Sequence, residues 1–193
     1  MQPRMIVVAG PPGSGKSSVF PVAGFGIKYF NSDDRAAELN GGSYRSIPTN
    51  IREIVNREFE AFVQGCIARL ESFAIETTLR SEITFHQVRL AKAVGFVTDM
   101  RYLALRDFSI HLTRVKARAD AGGHSASETI LRKIYQASLT NLSRAVVEMD
   151  DLWVYDNSLV GGPPILLLQS EQGAIRFLID TPPSWLNTAL RRE

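Results

Sequence analysis

Near the start of the chain stands Ala9-Gly10-Pro11-Pro12-Gly13-Ser14-Gly15-Lys16-Ser17-Ser18, a stretch whose glycines, lysine and hydroxyls suit phosphate. Gly10, Gly15, Lys16 and Ser17 fill every fixed position of the Walker A pattern G-x-x-x-x-G-K-[S/T]. Glycines let neighbouring backbone N–H groups converge on phosphate oxygens, and a helix that starts there offers them its positive end. In such a P-loop the lysine reaches the β and γ phosphates, and the Ser17 hydroxyl is placed to ligate magnesium. Pro11, Pro12, Gly13, Ser14 and Ser18 complete the expected nucleotide-binding stretch, with ATP and Mg²⁺ as its ligands. The alternative is a glycine-rich turn that binds nothing.

A loop that holds phosphate does not say what becomes of it. Two other polar clusters follow apolar segments: Asn31-Ser32-Asp33-Asp34 and Glu76-Thr77-Thr78. Phosphorylating a hydroxyl needs a carboxylate within hydrogen-bond reach to take its proton. Asp33 is the candidate for that base and for acceptor binding; the alternative is that Asp33 and Asp34 cap a helix over residues 35–39. Glu76 is suited to bind substrate hydroxyls or to hold water on Mg²⁺, and Thr77 and Thr78 add neutral hydrogen bonds. All three are equally compatible with a solvated strand end.

A phosphoryl group in flight also needs positive charge around its oxygens, often delivered by a mobile segment. Arg114 and Arg118 lie four residues apart, on one face of a helix that ends at Gly122-Gly123. Arginine's planar fork suits bidentate phosphate contact, although cations are also favoured at any helix C-terminus. His124 either touches phosphate or caps the helix, and Arg132 is a weaker candidate. His86 and His111 have no metal-ligand spacing and read as ordinary helix residues.

The elements that must position these groups alternate along the chain. Strands are expected at Met5–Ala9, 27–32, 72–78, 96–105 and 152–156. Residues 51, 54, 55, 59, 62, 63, 66, 67 and 70 are apolar, which is the spacing of a helix with one buried face. That face contains Cys66, expected as core packing. Further helices are expected over 82–93 and 108–120, and from a cap at Ser127 to about Met149. Five strand–helix alternations imply an α/β fold, a mainly parallel five-stranded sheet between helical layers. ILLLQ and AIRFLI, joined through SEQG, form an expected C-terminal β-hairpin. One domain over 1–193 is expected, with its core at 4–160 and the hairpin and tail at 161–193.

Composition narrows the function. Lys plus Arg total 22 against 20 for Asp plus Glu, a net charge of +2, which argues against nucleic acid as a partner. No apolar run of about 18 residues crosses a membrane. The glycine turn follows too few apolar residues for a secretion signal, and one cysteine cannot form an internal disulfide, so a cytoplasmic setting is expected.

Taken together, AGPPGSGKSS, FNSDDRAAEL, AIETTL, RVKARADAGGH with a following helix that contains SLTNL, and VYDNS resemble the zeta-toxin family of P-loop kinases, particularly its short bacterial members. The resemblance covers roughly residues 4–160 and implies the fold of small-molecule kinases. It implies ATP-dependent phosphorylation of a small-molecule hydroxyl, with UDP-N-acetylglucosamine as the first candidate, and an antitoxin as a protein partner. Lys16 and Ser17 match the family's P-loop pair, Asp33 its base, and Glu76 its substrate-binding glutamate. Arg114 and Arg118 match its phosphate-clamping arginines, and Asn157 falls close to where the nucleotide base sits. Two departures bear on the acceptor. Gly122-Gly123-His124 stands where larger toxins carry a longer lid with a second arginine, and those toxins continue further at the C-terminus. A nucleotide-gated binding module and a polynucleotide-end kinase are the competing readings.

Overall fold

The computed structural model describes residues 2–121, 123 and 126–190. Its centre is one seven-stranded sheet in the order β2-β3-β1-β4-β5-β6-β7. The strands are β1 (Arg4–Ala9), β2 (Lys28–Phe30), β3 (Phe73–Thr77), β4 (Val97–Ala104), β5 (Asp151–Asp156), β6 (Ile165–Glu171) and β7 (Ala174–Leu178). The first five run parallel, as the alternation implied. β1 lies between β3 and β4 with Met5–Ala9 buried, the continuous apolar run of a parallel strand covered on both faces.

The expected five parallel strands and the C-terminal hairpin both form, and together they make the seven-stranded sheet. β6 pairs antiparallel with β5, and β7 with β6, so the hairpin extends the sheet itself. Without it the outer edge of β5 would leave a row of backbone groups unpaired. Leu167 and Leu168 anchor the addition in the core.

The helices are α1 (Lys16–Val19), α2 (Ser32–Leu39), α3 (Thr49–Ala68), α4 (Ile83–Ala93), α5 (Phe108–Asp120), α6 (Glu128–Glu148) and α7 (Ser184–Leu190). The larger core joins β1, β3, β4 and β5 to Val63 and Cys66 of α3, Phe85 of α4, Leu142 of α6 and Trp185 of α7. Cys66 is core packing, as its helical spacing implied. The opposite face carries a narrower cluster, in which Ile6, Val8 and Ala74 lie beneath Val22 and the half-buried Phe20, Phe25 and Ile27. Among the described residues no helix is long and apolar enough to cross a membrane.

The register explains why the polar clusters meet. Val8 is level with Glu76, and Ala9 with Thr77, so the P-loop and the Glu76 cluster leave neighbouring strands at the same end. Ligands of parallel sheets bind beyond the carboxyl ends of the strands.

Candidate active site

The P-loop turns because its glycines adopt backbone angles closed to other residues. Gly13 has φ +79° and Gly15 φ +92°. A Cβ on Gly13 would stand 2.8 Å from the His111 carbonyl oxygen, and one on Gly15 2.4 Å from the Asn157 side-chain nitrogen. Neither glycine can be replaced without moving backbone or its support. The Ser14 hydroxyl, inside the loop, is buried with no hydrogen-bond partner among the described residues. An unused donor at the centre of a glycine cradle fits an oxyanion.

α1 is a single turn, because Phe20 closes it ahead of Pro21. Positive potential at the phosphate site therefore comes from the loop's N–H groups and from Lys16 more than from a long helix dipole. Lys16 is buried, and its Nζ donates to the carbonyls of Gly10 (2.9 Å) and Pro11 (3.3 Å). Burial pushes its ammonium below the ordinary lysine range; the carboxylates of Glu76 and Asp33 oppose that shift, and Arg118 adds to it.

Glu76 joins the P-loop directly. Ser17 Oγ donates to Glu76 Oε2 at 2.9 Å, and Lys16 Nζ stands 3.8 Å from Glu76 Oε1. This contact places Glu76 at the P-loop serine rather than among the α3 and α4 groups of the far wall. Among the described residues no group of three His, Cys, Asp or Glu side chains could hold a metal alone.

Asp33 does not cap its helix, and neither does Asp34. Asn31 does: its side-chain oxygen accepts from the backbone N–H of Asp33 (3.0 Å) and Asp34 (3.3 Å), and α2 starts at Ser32. An asparagine one residue before the helix fills the N-cap, which leaves the Asp33 carboxylate exposed in the first turn. Asp34 accepts a hydrogen bond from Tyr44 (2.8 Å). Asp33 faces a cleft of about 1310 Å³ that Lys16, Ser17, Glu76, Thr78, Arg114 and Arg118 also line. α3 and α4 form its far wall, with Asn56, Glu60 and Gln64 on one side and Thr84, His86 and Gln87 on the other. His86 therefore lines the cleft, a placement its sequence did not signal.

Other expected site residues are engaged with the protein itself, Thr77 and Asn157 while also lining the cleft. The Thr77 hydroxyl lies 3.3 Å from that of Thr84 and accepts the N–H of Leu79. Asn157 donates from Nδ2 to the Ser14 carbonyl at 2.8 Å, so it grips the P-loop from β5. Arg132 pairs with Glu128 and lies over the Phe108 ring, outside the cleft lining. Gly123 makes a close turn, its N–H donating to the Arg118 carbonyl at 2.8 Å. His124 and Gly122 lie outside the described residues.

His111 contradicts its reading as an ordinary helix residue. It is 2% exposed and bridges the P-loop to the end of β4. Its signal was the spacing 111, 114, 115, 118, one helix face shared with both arginines. Asn141 of α6, also missed, donates to the Leu79 carbonyl at 2.9 Å. Leu79 is buried at φ +55°, a strained conformation directly after the Glu76 cluster.

No protein-family model matches the chain. It is 27% identical over 136 residues to an uncharacterized protein of Haemophilus influenzae, covering 70% of this chain and 94% of that one. Among solved structures, the AvrRxo1-ORF1:ORF2 complex superposes with a TM-score of 0.71 at 13% identity, over 98% of this chain and 64% of that one. The same complex with ATP gives 0.66 at 14% identity, over 90% and 60%. The PezAT toxin–antitoxin system of Streptococcus pneumoniae gives 0.63 at 13% identity, over 98% and 77%. The chain thus spans about three fifths of the AvrRxo1 chain's length. At these identities the likeness is one of fold.

Proposed function

We propose, from the motif resemblance to zeta-toxin kinases and a fold shared with these toxin–antitoxin proteins, that the protein moves the γ-phosphoryl group of ATP to a hydroxyl of a small molecule. One observation carries the reading: Lys16, Ser17 and Glu76 form a connected group, and Asp33, Arg114 and Arg118 line the same cleft. The ATP-bound structure of a protein with this fold supports ATP as donor.

In this reading the P-loop amides, Ser14 and Lys16 hold the β and γ phosphates. Mg²⁺, held by Ser17 with Glu76 acting through its water shell, would neutralise charge on the same oxygens. Asp33 accepts the proton of the acceptor hydroxyl as that oxygen bonds to the γ phosphorus. The bond from γ phosphorus to the β–γ bridging oxygen breaks, and ADP leaves with its electron pair. Arg114 and Arg118 stabilise the oxygens of the group in flight. Thr78 and the α3–α4 wall orient the acceptor and displace water, which would otherwise take the phosphoryl group.

UDP-N-acetylglucosamine is the proposed acceptor, resting on the motif resemblance and on a cleft large enough for two substrates. The whole chain is read as one kinase domain acting in the cytoplasm. An antitoxin is its proposed protein partner, by likeness to a toxin–antitoxin system. The test is incubation with ATP, Mg²⁺ and UDP-N-acetylglucosamine, followed by mass spectrometry for a product about 80 Da heavier, one phosphoryl group. Lys16-dependent product establishes reaction and acceptor together. ATP binding that depends on Lys16, without product, removes this acceptor. Absence of such binding removes the kinase reading.

A further inference from the structure

The mechanism just described makes no use of His111, yet few side chains in the molecule are tied more closely to the P-loop. Its Nε2 receives the backbone N–H of Leu105 at 3.1 Å, and its Nδ1 lies 2.9 Å from the Pro12 carbonyl oxygen. An N–H only donates and a carbonyl only accepts, so both bonds require a neutral ring with its proton on Nδ1. One side chain thereby joins α5 to the P-loop and to the residue just beyond β4. Its own backbone presses on the loop as well: the His111 carbonyl oxygen and a Val115 methyl leave Gly13 no room for a Cβ.

The ring is held from behind. Tyr135 of α6 meets it edge-to-face at 5.1 Å between centroids, and Phe108 packs on Tyr135 at 5.4 Å. Three residues further along α6, Ser138 hydrogen-bonds the buried Tyr102 hydroxyl of β4 at 3.0 Å. α6 thus holds the imidazole itself and the strand that leads to one end of its bridge. Residues 111, 114, 115 and 118 share a face of α5, so whatever seats His111 and Val115 on the loop also sets the direction of Arg114 and Arg118.

We infer that His111, buttressed by Tyr135, is a positioning residue that holds the P-loop in its phosphate-binding shape and ties that shape to the placement of the two arginines. The inference rests on the ATP-binding reading of the cleft. A purely structural role would make both ring bonds count alike, as pairs that a buried imidazole needs in any case. Phosphate positioning needs the Nδ1 bond, because that is the one made to the loop.

Two substitutions separate the bonds. In His111→Asn the amide nitrogen stands where Nδ1 stood and keeps the Pro12 contact. In His111→Gln the longer chain reaches the Nε2 position and keeps only the Leu105 contact. The experiment is calorimetric titration of wild type, both variants and Lys16→Ala with ATP and Mg²⁺, with melting temperatures recorded for each. His111→Asn is expected within about threefold of wild-type affinity and His111→Gln about tenfold weaker, the worth of one buried hydrogen bond. Imidazole ¹⁵N spectra should report the Nδ1-protonated tautomer, with shifts that move when ATP is added. Equal affinity in all His111 forms, equal weakening in both variants, or the other tautomer overturns the inference. Wild type that binds ATP no better than Lys16→Ala removes the kinase reading instead, and this inference with it.

Discussion

At the residue scale, four side chains with little in common chemically are held within one arrangement. The Lys16 ammonium is folded onto loop carbonyls, Ser17 donates to Glu76, and Asp33 stands exposed at the start of α2. Each has a separable signature. Asp33→Asn should abolish phosphoryl transfer while ATP affinity, read by titration, stays within about twofold, because only proton acceptance is removed. Undiminished transfer in that variant would move the base elsewhere. Arg118→Ala should lower kcat by about a hundredfold with a smaller change in the KM for ATP, since its charge is needed most in the transition state. His111 adds a pH signature. Burial drives its imidazole down to about 4, with Lys16 and Arg114 adding to the shift and the Pro12 carbonyl and Asp156 opposing it. The unfolded chain, with histidine near its ordinary 6.5, binds the extra proton first as pH falls. Stability should therefore be complete above about 6.5 and decline toward 4, and His111→Asn should flatten that part of a melting-temperature curve.

At the element scale, α6 is the spine of the site although it contributes little to the cleft itself. Tyr135, Ser138 and Asn141 recur every three residues and reach His111, Tyr102 and Leu79 in turn. Asn141 supports the left-handed Leu79, whose strained backbone turns the chain away just past Glu76-Thr77-Thr78. Asn141→Ala should cost about 1–2 kcal/mol in denaturant unfolding, the penalty for leaving a buried carbonyl unpaired. It should raise the KM for the acceptor more than that for ATP, since the Glu76 cluster moves while the P-loop keeps its own supports. Equal changes in both would show that α6 acts only on overall stability. Periodicity was enough to find α3, because a buried face repeats every three to four residues, whereas α5 and α6 were legible from the glycines that follow one and the serine that caps the other. Neither signal could say which residues of α6 hold which strand end, because that depends on the rotation of the helix about its axis.

At the scale of the whole molecule, the sheet gathers its chemistry at one end and seals its core with segments far away in sequence. α7 places Trp185, Leu186 and Ala189 in the main core. Trp185→Ala should destabilise the fold by about 3–5 kcal/mol while leaving ATP affinity unchanged below the melting transition. Arg45, in the loop between α2 and α3, donates to the carbonyls of Ala119 and Asp120 at the end of α5. The helix that carries Asp33 and the helix that carries both arginines are thus linked around the cleft. Hydrogen exchange across residues 40–48 and 115–120 should slow together when ATP and acceptor are both present. Slowing of one segment alone would separate the two walls.

Sequence alone was sufficient for whatever depends on neighbours along the chain. The P-loop was legible because phosphate binding demands glycines, a lysine and a hydroxyl at fixed short spacings. The parallel strands were legible because burial on both faces leaves unbroken apolar runs, and the polar groups at their ends because a strand must terminate where its ligand sits. Tertiary structure decided what depends on distance through space. It turned Asn157 onto the Ser14 carbonyl, set Glu76 against Ser17 and added the hairpin to β5. The N-cap of α2 is a local choice among neighbouring residues that the sequence left open, and Asn31 takes it, so Asp33 does not cap. His111 illustrates the limit most clearly: a histidine in a helix looks the same in sequence whether it faces solvent or spans two loops. Only the packing of α5 on the P-loop brings a carbonyl to one ring nitrogen and an N–H to the other.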